Sequence, residues 1–188
     1  MKLVAGSLLE RQEVELFLER TLIGFTIRSV QYLVPESMDL DSIGQFEGFD
    51  QAEAGIVLRG DDSEIHLRWA QEGFTESLWV GASSPGADLW SPHVRRVTVG
   101  GIWEAFTGFP IEKIAEGWLP LEGDRESVWS LCVRVNGRFF AIALGEIDHE
   151  SGTPTYIPDC VVAIFNGDTG RSYHPWAGVA SAWAEDFR

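Results

Sequence analysis

The phrase Leu22-Ile-Gly-Phe-Thr-Ile-Arg-Ser-Val30 returns 84 positions later as Phe106-Thr-Gly-Phe-Pro-Ile-Glu-Lys-Ile114. Each copy places an apolar residue, a spacer, Gly-Phe, a spacer, Ile, two spacers and an apolar residue in the same order. A glycine at that point ends a helix by taking the left-handed conformation. The phenylalanine then opens a strand. Between Ile27 and Val30 the apolar spacing is three, where a strand with one buried face needs two or four. A β-bulge near Arg28-Ser29 restores the face, and Ile111 and Ile114 repeat the slip. A chain that writes helix stop, strand start and bulge twice is expected to contain one building block twice.

The flanks agree with this reading. Ser7-Leu-Leu-Glu10 has the form of a capping box. Leu8, Leu9, Val14, Leu16, Phe17 and Leu18 then lie along a helix, with Glu10, Glu13 and Glu19 toward water. Before the second glycine, Ile102, Trp103, Ala105 and Phe106 predict a short helix. After each phrase the pattern changes to antiparallel strands. Gly55-Ile-Val-Leu-Arg59 and Glu64-Ile-His-Leu-Arg-Trp69 flank the turn Gly60-Asp-Asp-Ser63. Alternation puts Ile65, Leu67 and Trp69 inward and Glu64, His66 and Arg68 in water. Leu78-Trp-Val80 adds a third strand.

In the second half, Trp129–Val135 and Arg138–Leu144 flank Asn136-Gly137, the pair that a type I′ hairpin turn favours. The implied register sets Val133 against Phe140, Leu131 against Ile142 and Trp129 against Leu144. On the other face it sets Cys132 against Ala141 and Ser130 against Ala143, small enough for a second layer to approach. Cys160–Phe165 is the next strand, closed by a turn at Asn166-Gly-Asp-Thr-Gly170. The expected fold is therefore α+β: two tandem pseudo-repeats, residues 1–97 and 98–188, each a helix followed by an antiparallel meander. The two share one core.

Eight tryptophans and eleven phenylalanines supply that core and argue against disorder. No apolar run reaches the ~20 residues that span a bilayer, and the first ten residues lack the pattern of a secretory signal. The chain reads as cytoplasmic. Cys132 and Cys160 sit among apolar neighbours and read as reduced core thiols. Net charge is −15, from 29 acidic and 14 basic residues. That field disfavours nucleic acid and anionic membranes and favours a basic protein partner.

Local motifs for chemistry are weak. Asp39-Leu-Asp41-Ser-Ile43-Gly44 opens like a calcium loop, but Ile43 replaces an oxygen ligand and Asp50 stands where glutamate is required. Glu146, Asp148, His149 and Glu150 gather carboxylates and an imidazole in what reads as a solvated loop. His66 reads as exposed on a polar strand face, and His93 and His174 as loop residues. There is no nucleophile elbow, phosphate-cradling loop or dinucleotide fingerprint, and the reading contains no cofactor and no metal.

What remains is surface charge. Asp39, Asp41, Glu47, Asp50, Asp61, Asp62, Glu146, Asp148 and Glu150 are candidates for an acidic partner-binding surface. Trp90 and Tyr156 are candidate aromatic anchors beside it.

The stretches Val-Arg-Val-Asn-Gly-Arg138, Ala-Leu-Gly-Glu-Ile-Asp148, Tyr156-Ile-Pro-Asp159 and Val-Val-Ala-Ile-Phe165 resemble small uncharacterised bacterial proteins. Some of these are similar to immunity proteins that neutralise secreted toxins. The resemblance spans about residues 100–176 and carries no binding residue across. It implies an acidic, non-enzymatic antagonist that occludes the basic active-site surface of a toxin. Two readings from other classes stand beside it. One is a small-molecule or metal-dependent enzyme with its site at the junction of the halves; the other is an assembly module that forms homo-oligomers.

Overall fold

Both glycines end their helices as the repeated phrase requires. Helix α1 (Arg11–Leu22) closes with the Ile23 amide donating to the Glu19 carbonyl at 3.0 Å, and Gly24 takes φ +82°. A 3-10 helix (Gly101–Phe106) closes the same way, with Gly108 at φ +86°. The computed structural model describes residues 10–38, 45–46, 48–72, 75–86, 93–121, 126–148, 150–151, 153–175 and 179. Ser7 of the expected capping box lies outside them. Val14, Leu18 and Leu22, spaced by four, form the buried stripe of α1. Leu16, expected in that stripe, is 45% exposed, because two residues along a helix turn a side chain to the opposite flank.

The first half continues through β1 (Ser29–Pro35), β2 (Gln45–Phe46), β3 (Phe49–Gln51), β4 (Gly55–Arg59), β5 (Glu64–Glu72), β6 (Thr75–Ser83) and β7 (Val94–Val99). After the 3-10 helix come β8 (Ile111–Pro120), β9 (Glu126–Val135), β10 (Arg138–Leu144), β11 (Glu146–Ile147), β12 (Pro154–Thr155), β13 (Val161–Ile164) and α2 (Gly167–Ser172). One sheet has the order β6-β5-β4-β1-β7, the other β2-β3-β13-β10-β9-β8, and β11 pairs with β12. All ladders are antiparallel. The balance is thus mainly β, which corrects the α+β expectation. Helices are short and few among the described residues. The segment Asn166–Gly170, expected as a turn, begins α2, because the Asn166 side chain accepts from the amides of Asp168 and Thr169.

The phase slips are real bulges. In β8 the register shifts between Ile111 and Lys113. At the start of β1, the Arg28 amide donates to Arg59 O at 2.7 Å while Ser29 pairs with Arg59, so two residues face one. The two phrases also meet each other. Thr26 and Pro110 form an antiparallel bridge, the Gly24 amide donates to Ile111 O at 2.9 Å, and the Gly108 amide donates to Ile27 O at 2.7 Å.

The Asn-Gly hairpin forms with positive φ at both residues, 50° and 69°. Its register matches the expectation at Val133–Phe140, Cys132–Ala141, Leu131–Ile142 and Ser130–Ala143. Both faces are buried there, so this hairpin is covered on two sides. β3 precedes residue 97 in the chain yet pairs with β13, joining the sheet built mainly from later residues. One apolar cluster contains residues of both sheets. At its centre Trp103 meets Phe165, Phe140, Phe106 and Tyr32 edge-on, with centroids 4.9 to 6.4 Å apart. Such edge contacts are worth about 0.5–1.5 kcal/mol each beyond the area they bury.

Candidate functional site

Three polar groupings stand out against this apolar scaffold, and their geometry separates them. The first lies on the outer face of the β1-containing sheet. Glu64 and His66, expected in water, are both fully buried. Burial raises the cost of the Glu64 carboxylate. The Arg96 and Gly86 hydrogen bonds and the Arg96 and Arg59 charges outweigh that cost and hold its pKa below the ordinary range. Arg96 Nη1 lies 2.7 Å from Glu64 Oε2 and Arg59 Nε lies 3.0 Å from Oε1. Long arginine side chains folding over the sheet account for the burial that alternation alone did not foresee.

His66 Nε2 is 2.9 Å from Ser83 Oγ, and the same nitrogen is 3.7 Å from Glu64 Oε2. A Ser–His–acid relay needs the serine and the acid on opposite ring nitrogens. The Ser83 hydroxyl donates to Ser84 O at 3.2 Å, which leaves the imidazole to donate rather than to act as a base toward Ser83. Burial, with the Arg96 charge, lowers the His66 pKa to about 4, so the ring is neutral. This cluster neutralises a buried face.

The second grouping ties the two sheets together. Tyr32 of β1 donates its hydroxyl to Asp50 Oδ2 of β3 at 2.5 Å, and Trp103 Nε1 donates to that hydroxyl at 2.6 Å. Asp50 is only 4% exposed. Its expected place on an acidic surface is therefore corrected: pairing of β3 with β13 draws it into the core, and the Tyr32 hydroxyl replaces the lost water.

The third grouping is open to solvent. Pro35, Ala54, Trp69 and Ala70 line a groove of about 470 Å³, bordered by Glu53, Asp159, Gln71 and Arg68. Glu53 holds φ +44°, uncommon for a residue with a side chain. Its carboxylate accepts from Gln51 Nε2 and, at 3.4 Å, from the Cys160 thiol. Burial first, then the charges of Glu53, Asp159 and Glu146, drive the Cys160 pKa far up. Burial and the Asp159 charge raise Glu76, and burial and the Glu76 charge push Tyr156 up to about 12. Glu76 thus feels Asp159, and the Cys160 thiol feels Glu53, Asp159 and Glu146. These carboxylates arrive from four places: the β3–β4 turn, β6, β11 and the residue just before Cys160 and β13. Tyr156 stands beside them with its ring edge-on to Trp129 at 6.3 Å.

Of the acidic candidates expected from sequence, Glu146 joins this group, as does the aromatic Tyr156. Asp61 is engaged elsewhere, by Arg28 at 2.8 and 2.9 Å. Asp62 is exposed in the same turn. Asp148 Oδ1 accepts the amides of Glu150 and Ser151 at 2.8 Å, serving its own turn, and Glu150 is exposed. Asp39, Asp41, Glu47 and Trp90 lie outside the described residues. Glu53, Glu76 and Asp159 were missed. No local spacing marks them, because only the β3–β13 pairing and the packing of β6 bring them near one another.

A second acidic face, Glu15, Glu19 and Glu116 between α1 and β8, is partly neutralised by Arg11, which holds Glu15 at 2.8 Å and Glu126 at 3.1 Å. Among the described residues no three His, Cys, Asp or Glu side chains are placed to hold a metal ion. Both cysteines are free thiols. No described helix is long and apolar enough to cross a membrane. No family model, curated protein or solved structure matches the chain.

Proposed function

We propose that this chain is a non-enzymatic, cytoplasmic protein-binding module that takes a basic partner, as an immunity protein takes a toxin. The observation that carries the reading is the pair Glu53 and Asp159 on the rim of one groove with an apolar floor, with the Glu146 charge acting on the same Cys160 thiol as theirs and the Asp159 charge acting on Glu76. A lysine or arginine side chain entering there meets two rim carboxylates and the Trp69 indole. The repulsion between Glu76 and Asp159 in the free protein is relieved when a cation docks, which adds to the attraction. The net charge of −15 extends that attraction outward and accelerates encounter.

We further infer that the scaffold is a tandem duplication of a helix-plus-meander unit. The meander β1-β4-β5-β6 in one half has its counterpart in β8-β9-β10-β13 in the other. The reciprocal glycine-to-isoleucine hydrogen bonds at the junction support the same reading.

The test is co-expression with the product of the adjacent reading frame in the native genome. A basic, toxic neighbour that co-purifies with the chain and loses toxicity in its presence is the expected result. A neighbour that neither binds nor is neutralised counts against the proposal.

A further inference from the structure

A second groove, sharing no lining residue with the acidic one, lies where the 3-10 helix, β10 and α2 meet. Its apolar surface comes from Ile102, which is 43% exposed, with Phe106, Phe139 and Phe165. Phe106 and Phe165 stack at 6.0 Å with planes 29° apart, so the buried Phe106 ring backs Phe165. The space is about 340 Å³, near the lower end of small-molecule sites. Two guanidiniums, Arg138 and Arg171, stand at its edge.

Arg138 has no acidic partner among the described residues. Arg171 bridges Asp168, whose side chain is 91% exposed, so water screens that pair and an incoming anion can displace it. Gly167 also lines the groove, and a Cβ there would approach Arg171 Nη1 to 3.2 Å; glycine leaves the guanidinium its room. In a chain of net charge −15, two guanidiniums at one groove, one of them paired with Asp168, make a local cationic edge. Arginine forks match carboxylate or phosphate oxygens in pairs, and an apolar floor that excludes water strengthens such bonds.

We propose that this groove binds a small organic anion: a carboxylate or phosphate carrying an aromatic or branched apolar body. The head group pairs with Arg138 and Arg171, and the body lies on Phe139 and Phe165 against Ile102. The proposal is independent of the acidic groove and of the toxin-antagonist reading.

The experiment titrates the full chain by NMR with phenylacetate, phenyl phosphate and, as the neutral control, benzyl alcohol. Either anion is expected to saturate one site, with shifts clustered at residues 102–106, 138–139 and 165–171. Arg138→Gln and Arg171→Gln each weaken it at least ~10-fold, as loss of a charge-assisted pair implies. Arg20→Gln, an arginine away from the groove, leaves it unchanged. Saturation by neither anion, equal binding of benzyl alcohol, undiminished affinity in Arg138→Gln, or equal loss in Arg20→Gln overturns the proposal.

Discussion

Thr26 and Pro110 face each other across a single antiparallel bridge, and each is the fifth residue of its copy of the repeated phrase. Around that bridge the Gly24 amide bonds Ile111 O and the Gly108 amide bonds Ile27 O. Exchanging the copies turns one bond into the other, which is the mark of a local two-fold relation. A duplicated unit whose copies pair through their own helix-stop segments would leave this arrangement.

The two glycines should therefore cost the same to replace. A Cβ at either position meets nothing within 4 Å, so only the positive φ is at stake. Gly24→Ala and Gly108→Ala are each expected to lose about 1–2 kcal/mol, the penalty of the left-handed conformation. Denaturant unfolding measures it. A loss confined to one of the two would show that their settings differ.

The buried Tyr32–Asp50–Trp103 chain predicts that stability falls as pH rises above the ordinary aspartate range. Burial raises the Asp50 pKa in the folded state, with the Tyr32 and Trp103 hydrogen bonds opposing. A raised folded value means that its contribution is fully present below the unfolded pKa and is lost as pH rises through the folded one. Asp50→Asn should flatten that part of the stability profile. Tyr32→Phe, which strips a partner from both Trp103 Nε1 and Asp50, is expected to cost about 1–3 kcal/mol at any pH where the fold is intact. Unfolding by urea across a pH series checks both.

His66 acts in the opposite direction. Its pKa falls from 6.5 to about 4 on folding, chiefly through burial, with the Arg96 and Arg68 charges adding and Glu64 opposing. The neutral ring therefore contributes stability that is whole above pH 6.5 and declines as pH falls through the window down to about 4. His66→Gln should remove this acid-side loss while keeping a donor for Ser83 Oγ. Thermal melts between these limits read it out. A profile identical to the wild type would mean that His66 is not the titrating group.

Much of this was legible in the chain because the signals were local. Asn136-Gly137 set its own turn and with it the register of Val133 against Phe140. The phase slip before Val30 and Ile114 marked bulges that local hydrogen bonding confirms. What failed was burial decided at a distance. Alternation assigned Glu64 and His66 to water, but arginines from β4 and β7 cover that face. Asp50 looked like a loop acid until β3 paired with β13. The groove was illegible for the same reason, since Glu53 and Asp159 lie over a hundred positions apart and neither sits in a motif.

The measurement that bears most directly on the proposed function is the association rate with the basic neighbour-encoded protein across a salt series. The comparison is between the native chain and the Glu53→Gln/Asp159→Asn pair. Both substitutions are isosteric, and Glu53→Gln keeps an acceptor for Gln51. The account predicts a native rate that drops roughly 10-fold or more between low and physiological salt, since screening shortens the reach of the field. It also predicts a slower rate and a flatter salt dependence in the paired variant. A native rate indifferent to salt, or a variant that associates just as fast, would contradict it.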